Sequence, residues 1–490
     1  MRTYLVGSVS FAVCFVAAGC SGESSIPDAG DDAGVAADVQ SDVVVPTNCD
    51  LGADITSSPA CIDDGIGVFV DSAGGNDTGL GTKASPFKTI AHAIGAAGAK
   101  PRVYVCAGTY TEDVALTQAN DVSIYGGLKC SDWTYDGNLP NVGKSALALH
   151  VDGVIKPVVF SDLSIVAAAG ANPGDTSIAA FVNASTDVTF RRVKLRPGAG
   201  KDGKVATTST NWSTVAQTDA TIAGHNASGA TGGTDHTCAL CTDGKNSMGG
   251  GGGNGTALNA TAGNGGTPSL NGQSPVDGAG GASTCTAGHN GANASEATAA
   301  PGATVLGKLT EAGWSPADGS NGPNGGPGQG GGGGGGGANL TSPGGGGGGG
   351  CGGCGGAGGN GGGSGGASVG LAVIGSKVTL TACDIVTLAG GAGGTGSAGQ
   401  DGQLGGYAGT ANSPGCGGGV GGKGAAGGAG GGGAGGISVG VLYTDQKPTV
   451  DAATTIIVPT SPAAKGTGGV AGTNDGIDGV AQAVLQAASN

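Results

Sequence analysis

Glycine constrains this chain more than any other feature. Of 490 residues 113 are Gly, many in runs such as Gly330–Gly337 and Gly344–Gly350. Such a run has no side chain to bury. Ordering it costs about 1–2 kcal/mol of backbone entropy per residue, and Gly loses the most. It orders only where backbone N–H and C=O groups of different segments satisfy one another. Two states stay open from the sequence: extended polyglycine helices packed side by side, or disorder. Collagen is excluded, since no strict Gly-X-Y period runs through the chain and Pro is only 20. A net charge of −15 speaks against nucleic acid or anionic lipid as partners.

The start of the chain reads as an export address. Arg2 precedes a mainly apolar run, Tyr4 to Val16, and small residues lead to Cys20. This resembles a bacterial lipoprotein signal, although Ala17 stands where Leu is usual. The resemblance implies that residues 1–19 are removed, that Cys20 is lipidated, and that the lipid is the link to the membrane. Ser21 follows in place of the Asp that retains lipoproteins at the inner membrane, which favours the outer membrane. Residues 20–48 are small and acidic and carry no Lys or Arg after the Cys. Such a segment is expected to be a flexible tether.

Strand-like repeats come next. Val158-Val159-Phe160-Ser161-Asp162-Leu163-Ser164-Ile165 matches Val188-Thr189-Phe190-Arg191-Arg192-Val193-Lys194-Leu195, 30 residues on. Val378 to Ile385 repeats the pattern after 190 residues, and Pro448 to Val458 faintly after a further 70. Equivalent strands at such intervals suit stacked coils separated by long excursions. Alternation puts Leu163, Ile165, Val193, Leu195, Cys383 and Ile385 inward. It puts Arg192, Lys194 and Arg196 outward, with Asp162 over Arg192 and Asp384 over Lys194. Ser85-Pro86 followed by Phe87, Ile90, Ala91 and Ile94 predicts a short helix capped at Ser85.

The stretch GNDTGLGTKASPFKTIAHAI, then RVYVCAGTYTEDVAL and VSIYGG, resembles the opening of secreted bacterial proteins of pectin-lyase-like, right-handed parallel β-helix fold. More narrowly it resembles Gly-rich β-helix lipoproteins of unknown function. The likeness covers residues 49–200 and is specific for fold, not for activity. The expected class is all-β, a right-handed parallel β-helix with a short N-terminal capping helix and long Gly-rich excursions. The expected order is β-helix over 49–200, an excursion over 201–366, a coil over 367–389, a second excursion over 390–436, and a last coil and tail over 437–490.

Thirteen Cys in an exported chain point to disulfides. Cys49 and Cys61 flank one loop before the first strand; Cys106 and Cys130 sit one coil apart. These are the two predicted pairs. Cys238, Cys241, Cys285, Cys351, Cys354 and Cys416 can form three bridges of unassigned pairing, leaving Cys383 as a buried thiol. His236-x-Cys238-x-x-Cys241 and Cys285-x-x-x-His289 are loose zinc spacings, and exported thiols oxidise, so no metal is expected.

Catalytic motifs are near misses. Gly143-Lys144-Ser145 lacks the Gly five positions before Gly143 that a phosphate loop needs, and Gly362–Gly366 fits Gly-x-Ser-x-Gly only within low-complexity sequence. Asp162, Asp187 and Asp384 occur singly, whereas glycoside hydrolysis needs two facing carboxylates. No catalytic residue and no cofactor are assigned. The expected function is a non-enzymatic cell-surface lipoprotein with a structural, adhesive or matrix-interaction role. The alternative is a polysaccharide-binding or polysaccharide-degrading β-helix protein, although Trp133, Trp212 and Trp314 are its only Trp residues.

Overall fold

The computed structural model describes residues 45–270 and 285–488. Cys20, the expected signal segment and most of the expected tether lie outside the described residues. Three parallel sheets of seven, six and six strands wind through the described chain, which is an all-β parallel β-helix. One full coil runs Leu147–Asp152, Val158–Ser161, Ser164–Val166, and the next repeats it as Ser177–Asn183, Val188–Arg191, Lys194–Arg196. The third is Ser368–Ile374, Val378–Thr381, Asp384–Val386. Val188 pairs with Val158 on one side and Val378 on the other, so strands 190 residues apart are direct neighbours.

Burial explains the stacking. Leu163, Ile165, Val193, Leu195, Cys383 and Ile385 are all at most 2% exposed. Phe160 stacks on Phe190 with ring centroids 5.2 Å apart. The alternation shifts phase at one corner, because Phe190 and Val193 both face inward. The corner residues Asp162, Arg192 and Ala382 take up the slack with φ of 58°, 51° and 50°. This left-handed conformation costs a non-Gly residue about 1–2 kcal/mol; Asp162 and Arg192 bond each other there, and Ala382 N donates to the Asp451 carboxylate.

The capping helix is shorter than expected. It spans Ile90–Ala96, and its N-cap is Thr89, whose side chain accepts from His92 N. Ser85 and Pro86 lie instead in a turn, and Phe87 bridges to Val70. Long-range carboxylates move the start: Asp77 accepts from Lys88 N and Thr89 N, and Glu112 from Ile90 N and Ala91 N. These satisfy first-turn donors that a local cap would otherwise serve.

Among the described residues, the Gly-rich tracts are ordered. Gly319, Gly322, Gly325, Gly328, Gly331 and Gly334 donate to Gly362, Gly359, Gly356, Gly353, Gly350 and Gly347, so rods 318–337 and 344–366 run antiparallel. Gly347, Gly350, Gly353, Gly356 and Gly359 donate to Cys416, Gly419, Gly422, Ala425 and Gly428 of a parallel rod, 416–436. Gly394, Ser397, Gln400, Gln403, Gly406 and Gly409 of rod 390–412 donate back into rod 344–366. Each step is three residues, the period of an extended polyproline-II helix.

This packing dictates the composition. A Cβ on Gly352 would lie 2.0 Å from Gly328 O, and one on Gly353 1.9 Å from Gln403 O. The third face of the same rod carries Cys351, Cys354, Ala357 and Asn360, giving a local Gly-Gly-X pattern. Where backbone acceptors run out, side chains replace them. Asp318, Asn321 and Asn324 accept from Ser364 N, Gly361 N and Gly358 N at 2.7, 2.7 and 2.8 Å. The rods continue into strands Ser368–Ile374 and Ser438–Tyr443, where Ser368 N donates to Ile437 O. A hairpin within the first tract, Gly307–Thr310 and Gly313–Pro316, sets Leu309 and Trp314 against Phe181, Val369 and Leu442. The slab therefore joins the β-helix through both backbone and side chains.

Candidate functional site

The cysteines sort by region. The structure joins Cys49 to Cys61 and Cys106 to Cys130, with Cα atoms 4.7 and 5.0 Å apart. In the slab Cys238 pairs with Cys351, Cys241 with Cys354, and Cys285 with Cys416. On rod 344–366 three residues make one turn, so Cys351 and Cys354 share a face, and Cys238 and Cys241 meet them there in the same order. His236, Cys238 and Cys351 bring their donor atoms within 4.8 Å of one another. With both sulfurs bridged, however, no thiolate is left to bind zinc. Cys383 is free and buried, and burial pushes its thiol up to about 11, so it behaves as a small apolar residue.

The basic residues meet carboxylates in the stack. Arg192 Nε donates to Asp162 Oδ1 at 2.7 Å, and its two other nitrogens reach Asp54 at 2.6 and 3.0 Å. Asp162 is 1% exposed. Burial alone would raise the Asp54 carboxyl, but hydrogen bonds from Arg192 and Thr56 hold it well below the ordinary carboxylate range. The cluster pins the segment before the first strand onto a coil more than a hundred residues later. The Asp162–Arg192 pairing expected from register is present. For Asp384 the register with Lys194 holds, but its carboxylate bonds Arg196 instead. Lys194 and Arg196 share a face, and the Arg196 fork also donates to the Asp384 carbonyl at 2.6 Å, while Lys194 stays exposed.

A polar cleft of about 680 Å³ opens where the slab leaves the coils. Asp175, Lys204, Asp318, Asn321 and Asn360 line it. Asp175 Oδ2 accepts from Ala171 N and Asn172 N at 3.0 and 2.8 Å, and the Asn172 backbone bond chiefly holds this carboxyl low. Asp318 Oδ1 serves Ser364 N and Oγ. A general acid at neutral pH needs a raised carboxyl, and Asp175 is shifted the opposite way. The arrangement suits holding polar groups better than proton transfer. Nothing local in the sequence marks this cleft, because its lining comes from segments as far apart as Pro173 and Ser364.

The family model described as a protein of unknown function (DUF1565) matches residues 73–129. That segment runs from the first turns through the capping helix and Arg102–Cys106 to the end of Ser123–Leu128. No curated protein and no solved structure matches the chain.

Proposed function

We propose that this chain is a non-enzymatic lipoprotein of the cell envelope that presents a rigid polyglycine slab for adhesion or matrix contact. Cys20 is the anchor, residues after it are the tether, and the outer membrane is the expected location. The observation that carries the reading is the slab itself. From Gly345 to Ala367 one rod extends about 70 Å at the ~3.1 Å rise of this helix, cross-bonded at every turn and tied by two of the slab's three disulfides. Catalysis needs no such arm, whereas reach does. The carboxylates of the cleft and of the Arg192 cluster are engaged with backbone donors or Arg, which favours scaffold over hydrolase. The test is fractionation of Cys20→Ala, which should move the protein from membrane to soluble fraction. Unchanged detergent partitioning would overturn the anchor.

A further inference from the structure

Four turns meet at the slab end remote from the coils: 226–231, 254–261, 337–344 and 409–415. Hydrogen bonds fuse them into one surface. Gly345 N donates to Gly229 O, Gly255 N to Ala230 O, Asn339 N to Thr256 O, and Ala227 N to Thr410 O. The chain as a whole is strongly acidic, yet none of these turns holds a single charged residue. They are built from Asn, Ser, Thr, Ala and Gly, with Pro343 and Pro414 and two bare Leu side chains. Leu258 is 67% exposed and Leu340 76%.

The Asn side chains are oriented by the backbone. Asn226 Oδ1 accepts from Thr410 N at 2.8 Å, Asn254 Oδ1 from Gly232 N at 2.9 Å, and Asn339 Oδ1 from Thr341 N at 3.0 Å. Each carboxamide oxygen is thus engaged by a backbone amide, and the side-chain NH2 groups of these three exposed residues have no hydrogen-bond partner among the described residues. Among the described residues the surface therefore offers N–H donors, hydroxyls and two small apolar patches, with no charge.

We propose that this end of the slab binds neutral polysaccharide. Hydroxyl and ring oxygens accept from the Asn amides, and the C–H faces of the sugar rings lie on Leu258 and Leu340. An anionic chain would gain no ion pair here and would meet the negative field of the rest of the molecule. The inference rests on the surface-presentation reading, since binding at the remote end needs a rigid arm.

The test uses the full chain in detergent with its disulfides intact, on immobilised neutral glucan, mannan and galactan, with polygalacturonate as the acidic control. Retention on a neutral polymer is expected to survive about 0.5 M NaCl, where charge attraction is screened within ~4 Å. Leu258→Asp/Leu340→Asp should weaken retention about tenfold or more, and both positions are exposed enough to leave folding intact. Retention on polygalacturonate alone, loss in salt, or an unaffected double variant would overturn the proposal. So would binding to ice with none to the polymers. These outcomes leave the anchor standing, whereas shortened polymer chains in the eluate would overturn the non-enzymatic reading instead.

Discussion

Phe190 and Gly356 are both buried, and they would fail under opposite changes. Phe190 fills the inside of a coil and stacks on Phe160, so removing its carbons leaves a void. Gly356 sits in a rod where a Cβ would lie 1.8 Å from Gln400 O, so adding one carbon forces rods apart. The coils are held by apolar side chains, and their backbone ladder follows. In the slab the backbone network is the main cohesion, and side chains survive only where a Cβ clears the backbone of the neighbouring rods. Burial therefore has two meanings in one chain, and the same substitution scan should read differently in each half.

The largest break in this comparison is excision. Replacing residues 204–364 with a short Gly/Ser turn removes the central rod and the Leu309–Trp314 hairpin. The main coil core draws no residue from that span. The coils should keep their parallel-β circular dichroism, while amides of 390–436 lose exchange protection. A wholly unfolded product would show that the coils depend on the slab.

Reduction comes next. The slab bridges span 113, 113 and 131 residues, against 12 and 24 for the N-terminal pairs. Closing a loop of about 100 residues is worth ~4.7 kcal/mol in the chain-entropy model, against about 3 for short loops. Dithiothreitol should lower the slab's melting point more than that of the coils, giving two transitions in calorimetry. Coil melting before the slab would reverse the account.

Phe190→Ala should cost about 3–5 kcal/mol, read as faster exchange of coil amides with slab amides protected as before. The smallest effect belongs to the clip at Asp54. Its carboxyl is depressed in the folded state, so its stabilisation is complete above the ordinary value near 3.9 and fades as pH falls through the folded value. Asp54→Asn should therefore lower stability by about 1 kcal/mol at neutral pH, and the gap to the wild type should close in acid. A gap that widens on acidification would contradict the sign.

Much of the coil was legible because its signal is local and repeated. Val158 to Ile165 and Val188 to Leu195 display the inward pattern directly, and the Asp162–Arg192 pair follows from register alone. The Arg196–Asp384 bond was not legible, since register fixes Cα partners and not which of two basic side chains on one face reaches across. The helix start was missed because Asp77 and Glu112, not the local Ser85, serve its donors. In the slab the local three-residue step around Cys351, Cys354, Ala357 and Asn360 was visible, yet a Gly run carries no address for its partner. Rod pairing, and with it the bridges of Cys238 and Cys241, came only from the folded chain.

The central claim is that the slab is a backbone solid in which a single Cβ decides stability by the face it occupies. Gly325 and Gly326 are adjacent on one rod. A Cβ at Gly325 would lie 2.2 Å from Ala425 O, and one at Gly326 meets nothing within 4 Å. Gly325→Ala and Gly326→Ala should be compared by thermal unfolding and by amide exchange over 318–366. The account predicts that Gly325→Ala opens the slab and strips its protection. Gly326→Ala should leave it unchanged or more stable by about 0.4–1 kcal/mol, since Ala restricts the unfolded chain more than Gly. Equal behaviour of the two variants would contradict it.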